Sequence, residues 1–333
     1  MKVELDPGGF LATSSEELKN ELSNINPKLE QSTAVQYALN PHGKLIRPLT
    51  LFAIANALGL SGSKALVTIA ASIEKLHIAT LVHDDIIDDD QWRRGRPSLH
   101  TQFDVGTAIV VGDSLIFETT AWVKDAVDLG INPRSALEIL SQFTTAGQQL
   151  CSGQQLESRM TSSLSFSYTS YIRMVEGKTS ALFELAAVCG AILANASEEE
   201  KQRFFTVGQK FGIAFQMQDD LLPFFSDREI AGKDLLSDLR NKRPSFPLVV
   251  AVELLKGANR TNLLSILDSE TPAGADSFSM LTEIFVKAGV LQKCQDLLGQ
   301  TLEEVNALLQ PYRKTEGGEF LVQLLHQSAR RNL

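Results

Sequence analysis

A run of acidic side chains at residues 83–90, His-Asp-Asp-Ile-Ile-Asp-Asp-Asp, is the part of this sequence best suited to chemistry. The segment from Lys64 to Asp88 has the pattern of one long helix. Asp84 and Asp88 are four residues apart and therefore share a face, with Asp85 beside them. The carboxylates repel one another and lie at the helix C-terminus, where the macrodipole disfavours anions. Hard oxygen ligands on one helical face predict a Mg²⁺ site, and the alternative is a solvated acidic turn.

A second acidic pair, Asp219 and Asp220, ends the sequence FQMQDD at residues 215–220, again after an apolar helical stretch. Two such pairs on facing helices could hold magnesium ions between them, around one diphosphate. For this pair alone, the alternative is an exposed helix end.

Positively charged side chains recur at the predicted helix ends and loops, in an otherwise acidic chain. They are Lys44, Arg47, Arg93, Arg94, Lys178 and Lys233. Taken singly, each is better explained as a solvated surface cation than as a ligand. Together, with cations beside both aspartate clusters, they indicate two diphosphate sites, one bound through metal and one held by arginine and lysine.

Composition narrows the class of protein. The 333 residues are 44% hydrophobic and 21% charged, with a net charge of -9, which argues against nucleic acid as the main partner. The three cysteines lie far apart and indicate neither a zinc knuckle nor a disulfide framework. No signal peptide is evident at Met1–Phe10, and no run approaches the roughly 18–20 apolar residues of a membrane span. A cytoplasmic protein is expected.

Helical periodicity dominates, and no strand-like alternation stands out. Helices are predicted near residues 45–58, 64–88, 105–127, 133–160, 168–194, 198–225, 247–255, 276–309 and 318–331. No internal repeat or low-complexity linker divides the chain. We therefore expect a single all-α domain over residues 1–333, with helices surrounding a core or a cavity.

The motifs occur in a specific order: GKxxRP at 43–48, HxxxLxHDDxxD at 77–88, RRG at 93–95, GD at 112–113, KT at 178–179, FQxxDD at 215–220 and GK at 232–233. In this order and spacing the chain resembles the trans-isoprenyl diphosphate synthase (polyprenyl synthetase) family over most of its length. The resemblance implies a helical bundle around a deep central cavity, normally dimeric. It also implies Mg²⁺-dependent condensation of isopentenyl diphosphate with an allylic diphosphate, with three Mg²⁺ ions per active site when substrate is bound.

The resemblance also assigns roles to individual residues. The implied metal ligands are Asp84, Asp85, Asp88, Asp219 and Asp220. The residues implied to bind isopentenyl diphosphate are Lys44, Arg47, His77 and Arg94. Those implied to contact the allylic diphosphate are Arg93, Lys178 and Lys233, and the polar groups near the developing carbocation are Thr179 and Gln216. The lipid product would be the protein's only link to a membrane.

Four positions depart from the family pattern. Pro223 stands where the second motif has its third aspartate, and a proline there can end or kink the helix. Lys242 replaces a usual glycine, Arg243 replaces a usual lysine that binds substrate, and His42 replaces a glycine often seen before GK. The departures bear on efficiency more than on reaction type.

Product length in this family depends on the positions four and five residues before the first aspartate, where bulky aromatics stop growth. Here these are Thr80 and Ala79, both small, with Leu76 one turn deeper. We expect a product longer than C15, with C30–C40 favoured. The alternative is that a facing side chain, Phe117 or Phe143, closes the tube at C20.

Three other functions compete with this interpretation. A class I terpene cyclase would not need the Lys44, Arg47 and His77 set. A metal phosphohydrolase would need further histidine ligands than the chain offers. A regulatory subunit of a two-component synthase would be expected to lose the first aspartate motif, which is intact, although Pro223 keeps a hetero-oligomer open.

Overall fold

Helices make up nearly all the regular structure of this chain, whose computed structural model describes residues 9–23, 32–225, 241–268 and 275–330. In the first half the elements are α1 (Gly9–Ser23), α2 (Ser32–Leu39), α3 (Ile46–Ala57), α4 (Lys64–Ile87), β1 (Trp92–Arg93), β2 (Arg96–Pro97), α5 (Leu99–Gln102), α6 (Val105–Glu118), a 3₁₀ turn (Ala121–Asp125) and α7 (Pro133–Ser163). They continue as α8 (Tyr168–Val175), a π-helical turn (Glu176–Ser180), α9 (Ala181–Leu193), α10 (Glu198–Phe225), α11 (Phe246–Leu254), α12 (Gly257–Asp268), α13 (Ala275–Lys287), α14 (Val290–Leu309), a 3₁₀ turn (Gln310–Tyr312) and α15 (Glu316–Arg330). The all-α prediction is confirmed.

The chain divides into two compact units. The first unit comprises Met1–Thr144, Leu182–Phe205 and Pro311–Leu321, and the second comprises Thr145–Ala181, Thr206–Gln310 and Val322–Leu333. Four of the boundaries fall inside continuous helices, namely α7, α9, α10 and α15. The single domain expected over residues 1–333 stays a prediction.

The core of the first unit forms where α4 packs against α2 and α6. It gathers small and branched apolar side chains, namely Ala34, Val35, Leu39, Ile78, Ala79, Val82, Leu99, Ala108, Val111 and Leu115. Alanines at the crossing let the helix backbones approach closely, so the C-terminal turns of α4 are held firmly. From the sequence, no segment long and apolar enough to span a membrane is expected, but α4 is one. Of its most apolar stretch, 72% is buried inside the protein, as in a core helix.

Several predicted helices are interrupted where the backbone departs from α geometry. The helix predicted over 105–127 ends at Glu118 and is followed by a 3₁₀ turn. The helix predicted over 168–194 contains the π-helical turn Glu176–Ser180. The stretch 276–309 forms two helices because Gly289, with φ 73°, adopts the left-handed conformation that glycine tolerates. Helices α1, α2, α5 and α12 add to the predicted set.

A short antiparallel hairpin corrects the expectation that the chain has no strands. Trp92 pairs with Pro97 and Arg93 pairs with Arg96. The two connecting residues, Arg94 and Gly95, have φ values of 54° and 78°. Positive φ at both central residues is the type I′ geometry that matches the twist of a two-residue hairpin.

Candidate active site

The first aspartate motif occupies the last turn of α4, as predicted. Asp84 and Asp88 are partly exposed and lie one turn apart, and the amide of Asp88 donates to the carbonyl oxygen of Asp84 over 2.8 Å. Asp88 caps the helix C-terminus with φ -91° and ψ -5°. Asp85, in contrast, is buried, with 3% of its surface exposed. The motif therefore presents two carboxylates to solvent and turns the third inward.

Asp85 is paired with Arg93, which β1 carries back towards α4. Arg93 donates from Nε to Asp85 Oδ1 over 2.7 Å, and its Nη2 contacts the same oxygen. Nη2 also lies 3.5 Å from Oδ2 of Asp90. Burial raises the pKa of Asp85, and the Arg93 guanidinium opposes this shift. The pair fixes an arginine beside the acidic run, where it can meet a diphosphate.

The donor set at the end of α4 fits Mg²⁺. Asp84 and Asp88 offer only carboxylate oxygens, which are hard ligands. Within the described residues, no three His, Cys, Asp or Glu side chains are gathered around one point as ligands. Magnesium does not require such a cage, because it is commonly bound through one or two carboxylates and completes its shell with water and substrate phosphates.

The GD pair of α6 supports the residue that precedes the first aspartate. A Cβ atom added to Gly112 would overlap the imidazole of His83, so a larger residue at position 112 would displace this ring. His83 Nε2 lies 3.6 Å from Asp113 Oδ1 and 3.4 Å from the carbonyl oxygen of Ile109. Gly112 and Asp113 thus hold His83 next to Asp84, a role that the motif alone did not reveal.

Arg47 and His77 form the centre of a polar cluster in the first unit. Arg47 Nη1 lies 3.2 Å from His77 Nε2, and its guanidinium carbon lies 4.7 Å from the centroid of the Phe183 ring. The pKa of His77 is lowered well below its ordinary value by burial and then by Arg47 and Arg94. His77 is therefore neutral near pH 7.

Glu74, one turn before His77 on α4, was missed by the sequence analysis. Its side chain is buried, with 2% of the residue exposed. Burial raises its pKa, while the charges of Arg47 and Arg94 act in the opposite direction. The signal that could have identified it is a single acidic residue inside the apolar part of α4. Glu74 is a counter-charge placed among the cations of this cluster.

Arg94 joins the β1–β2 hairpin to the loop that carries Lys44. Its Nη1 donates to the carbonyl oxygen of Pro41 over 2.9 Å. A Cβ atom on Gly43 would lie 2.6 Å from Arg94 Nη2, so a glycine is needed for the guanidinium to lie against this loop. Lys44 is exposed at the next position. The structure thus brings together the segments of Lys44, Arg47, His77 and Arg94.

In the second unit, Asp220 ends a chain of hydrogen bonds. Thr179 Oγ1 donates to Gln216 Oε1 over 2.7 Å, and Gln216 Nε2 donates to Asp220 Oδ1 over 2.8 Å. The other oxygen, Oδ2, accepts from the Tyr171 hydroxyl and from the Phe246 amide, each over 2.8 Å. Burial raises the pKa of Asp220 even though these three donors favour the carboxylate. Asp220 organises three segments, and Asp219 lies partly exposed beside it.

Lys178 is placed by a close crossing between α7 and the π-helical turn. A Cβ atom on Gly177 would lie 2.8 Å from the Cα of Gly153, so two glycines allow the backbones to touch. Lys178 Nζ then meets Glu157 Oε2 in a close ion pair, in which the Glu157 side chain is 14% exposed. Glu157 was missed by the sequence analysis, although a carboxylate four residues after Gly153 falls on the same helical face.

The departures from the family pattern have distinct structural outcomes. Helix α10 continues through Pro223 to Phe225, so the proline does not end it. Lys242 has φ 53°, the left-handed region that glycine favours, so the substitution retains the backbone conformation at a cost of about 1–2 kcal/mol. Arg243 follows it and is partly buried. Lys233 lies outside the described residues.

The residues expected to set product length differ in their surroundings. Ala79 is fully buried in the core cluster, and Leu76 is 6% exposed. Thr80 is partly exposed, and its hydroxyl donates to the carbonyl oxygen of His77 over 2.7 Å. Of the two side chains considered as a floor, Phe117 is 78% exposed, whereas Phe143 is 5% exposed. Thr80 is thus the only one of the two small residues with exposed surface.

Comparison with known proteins agrees with this arrangement. Residues 29–284 match the family model described as polyprenyl synthetase. The chain is 32% identical over 293 residues to the all-trans-nonaprenyl-diphosphate synthase (geranyl-diphosphate specific) of Rhodobacter capsulatus, covering 86% of this chain and 85% of that protein. It is 30% identical over 327 residues to the octaprenyl diphosphate synthase of Escherichia coli K12, covering 98% and 96%. A crystal structure of a decaprenyl diphosphate synthase from Rhodobacter capsulatus superposes with a TM-score of 0.85 at 25% identity, covering 97% of each chain. The chain belongs to the polyprenyl synthetase family and is a trans-prenyltransferase.

Proposed function

We propose that this enzyme condenses isopentenyl diphosphate with an allylic diphosphate, in the presence of Mg²⁺, to give an all-trans polyprenyl diphosphate longer than C15. The observation that carries the proposal is the joint placement, within the first unit, of the Arg47–His77 pair, the Arg94–Pro41 contact and the last turn of α4. An anion-binding cluster and a pair of metal-binding carboxylates on one helix suit two diphosphate substrates.

In this proposal each lysine or arginine side chain of the site binds one of the two diphosphate substrates. Lys44, Arg47 and Arg94 hold the diphosphate of isopentenyl diphosphate, with neutral His77 beside them. Arg93, Lys178, Lys233 and Arg243 contact the allylic diphosphate. Asp84 and Asp88 are the ligands we favour for Mg²⁺ in the first motif, because Asp85 accepts from Arg93. Asp219 is the corresponding residue in the second motif, where Asp220 already receives three hydrogen bonds from the protein.

The chemistry then follows from charge. Bound Mg²⁺ would stabilise the negative charge of the departing diphosphate, a contribution that the arginine and lysine side chains share. The allylic C–O bond breaks, and Thr179 with Gln216 offers oxygen atoms to the cation. The alkene of isopentenyl diphosphate attacks that cation and forms the new C–C bond. The proton is lost to the released diphosphate, so the protein need not supply a general base.

For product length, we favour C30–C40. Thr80 shares the helical face of Asp84, is partly exposed and is small, so the chain can grow past it. The named relatives include geranylfarnesyl, octaprenyl and geranylgeranyl diphosphate synthases. A C20 product is the second candidate, and the burial of Phe143 in the first unit is the observation that favours it.

A homodimer is the proposed quaternary state, with a partner subunit of a different sequence as the alternative. Helix α6 carries exposed apolar side chains at Val105, Ile109 and Phe117, of which Phe117 is 78% exposed. These residues repeat at intervals of four or eight and form a stripe that a second copy would cover. Light scattering should give twice the monomer mass, and Phe117→Asp should lower it. A monomeric wild type would contradict the proposal.

The experiment that tests this function supplies purified chain with labelled isopentenyl diphosphate, Mg²⁺ and geranyl, farnesyl or geranylgeranyl diphosphate in turn. Products longer than C15 are expected, and their size distinguishes the two candidates. A product that stops at C20 supports the geranylgeranyl alternative. No incorporation until a second protein is added would support the two-component alternative. The enzyme is proposed to act in the cytoplasm and to meet the membrane only through its lipid product.

A further inference from the structure

The hairpin that carries Arg93 and Arg94 is too short to define its own position. Each strand has two residues, and even longer isolated hairpins are marginally stable in water. Arg94 also occupies the left-handed region at φ 54°, which residues other than glycine adopt reluctantly. Contacts from outside the hairpin must therefore determine where the two guanidinium groups lie.

Tyr37 on α2 supplies such contacts to β2. Its hydroxyl donates to the carbonyl oxygen of Pro97 over 2.7 Å. The guanidinium carbon of Arg96 lies 3.9 Å from the Tyr37 ring centroid, and Arg96 Nη2 donates to the Tyr37 carbonyl oxygen. Phe103 packs edge-on against the ring, with centroids 5.6 Å apart and an interplanar angle of 86°. Phe103 thus packs against the Tyr37 ring, and Tyr37 contacts β2 through Arg96 and Pro97.

These contacts act on the two residues that determine the hairpin register. Arg96 is the pairing partner of Arg93, and Pro97 is the partner of Trp92. A planar guanidinium that stacks on an aromatic ring and donates to a carbonyl has little freedom, unlike a lysine ammonium. Fixing β2 therefore fixes β1 and the intervening turn.

The same tyrosine connects the hairpin to the neighbouring loop. Tyr37 lies four residues before Pro41, whose carbonyl oxygen accepts from Arg94. The loop then continues through Gly43, against which Arg94 lies, to Lys44. The hairpin is thus attached to the stretch from Tyr37 to Pro41 at both ends of that stretch.

We propose that Tyr37 and Arg96 are positioning residues for the isopentenyl diphosphate site, acting as a clamp that sets the distance between Lys44 and Arg94. The inference rests on the proposed function. It assigns neither residue a contact with substrate. Arg93 has an independent anchor in Asp85, so the clamp acts mainly on the isopentenyl diphosphate side.

The clamp predicts a change in one Michaelis constant and not the other. Tyr37→Phe removes only the hydroxyl and its bond to Pro97, and we expect the KM for isopentenyl diphosphate to rise about fivefold. Arg96→Lys keeps the charge but loses the stacked planar group, and we expect a rise of about tenfold. The KM for the allylic substrate should stay within about twofold. Because the two side chains act together, the double variant should resemble Arg96→Lys.

Steady-state kinetics with each substrate varied in turn, together with melting temperatures, test the inference. Tyr312→Phe is the matched control: Tyr312 packs on Phe204 in the first unit, 4.9 Å between centroids, and should leave both constants unchanged. An unchanged KM for isopentenyl diphosphate in both clamp variants would overturn the proposal. So would an equal rise in both constants accompanied by a lower melting temperature, since that pattern indicates a structural role only.

The kinetic comparison also separates this inference from the proposed function. If the wild-type protein incorporates no isopentenyl diphosphate with any primer, the proposed function fails and the clamp fails with it. If the wild type is active and calorimetric titration gives the same isopentenyl diphosphate affinity for wild type and both variants, only the clamp fails.

Discussion

Arg47 Nη1 lies 3.2 Å from His77 Nε2, and this contact indicates which ring nitrogen of the histidine carries the hydrogen. A guanidinium can only donate, so Nε2 must accept and the ring hydrogen must reside on Nδ1. The depressed pKa of His77 agrees, because burial and two arginines disfavour an added proton. His77 therefore presents an N–H group and no positive charge to its surroundings.

The His77 assignment predicts how stability depends on pH. Since the folded-state pKa lies below the ordinary value of 6.5, the unfolded chain binds more protons between the two values. Stability contributed by neutral His77 is present above pH 6.5 and is lost as pH falls towards the folded pKa. The free energy of unfolding of wild type relative to His77→Gln should fall from pH 7.5 to 5, by at most about 1.4 kcal/mol per pH unit.

Urea denaturation at several pH values measures this difference. His326→Gln, a histidine substitution at an exposed position, is the matched control. A wild-type advantage over His77→Gln that stays constant across the pH range would contradict the neutral assignment.

The sequence predicted the elements that depend on helical periodicity and failed where a single backbone angle or a tertiary contact decides. Asp84 and Asp88 could be placed on one face because their spacing is four. The different role of Asp85 could not be predicted in this way, because Asp85 is paired with Arg93. Arg93 reaches Asp85 through a hairpin whose type I′ turn needs a positive φ at Arg94. Periodicity does not report this angle.

Contacts between residues distant in sequence also decide which polar side chains contribute to the site. Glu74 and Glu157 look like ordinary helical residues until burial and ion pairing place them beside Arg47 and Lys178. The GD motif was visible, but its purpose required the contact between Gly112 and His83. Such contacts join residues distant in sequence, and one sequence alone does not record them.

Asp84→Asn should abolish condensation, with a loss of at least about 100-fold in kcat, because it removes a carboxylate from the proposed metal site. The measurement is incorporation of labelled isopentenyl diphosphate over a range of Mg²⁺ concentrations. Asp89→Asn is the control, since the Asp89 side chain is 90% exposed and lies outside the favoured set. Equal losses in the two variants would argue for a general effect of the acidic run.

Asp219→Asn and Asp220→Asn should separate metal binding from structural support. Asp220 accepts from Tyr171, Gln216 and the Phe246 amide, so an asparagine amide would face donors and cost about 1–3 kcal/mol of stability. Asp219→Asn should change stability by less than about 0.5 kcal/mol while raising the Mg²⁺ requirement. Chemical denaturation and Mg²⁺ titration of activity measure the two effects, and a reversed pattern would refute the assignment.

Thr80→Phe should shorten the product without unfolding the enzyme, because Thr80 is partly exposed on the face of Asp84. Ala79→Phe should instead destabilise the fold by about 1–3 kcal/mol or more, because Ala79 is fully buried against α6. Chromatography of the radiolabelled products and melting curves test both. Thr80→Ser, which keeps the hydroxyl and the small size, should leave product length unchanged; unaltered products from Thr80→Phe would contradict the proposed growth path.

Pro223→Asp should not reduce condensation. Helix α10 already runs through position 223, so the change restores a carboxylate without requiring a new backbone path. Leu222→Asp, a change to aspartate at the preceding position of the same helix, is the comparison and should not reproduce any gain. A clear loss of activity in Pro223→Asp, with the protein folded, would show that this end of the site has been rebuilt around the proline.

We propose Mg²⁺-dependent chain elongation by this single chain. Its most direct test is incorporation of labelled isopentenyl diphosphate into farnesyl diphosphate by the purified protein, with and without a magnesium chelator. We expect incorporation with Mg²⁺, loss of incorporation with chelator, and products longer than C15. No incorporation with Mg²⁺ by the folded chain alone would contradict it.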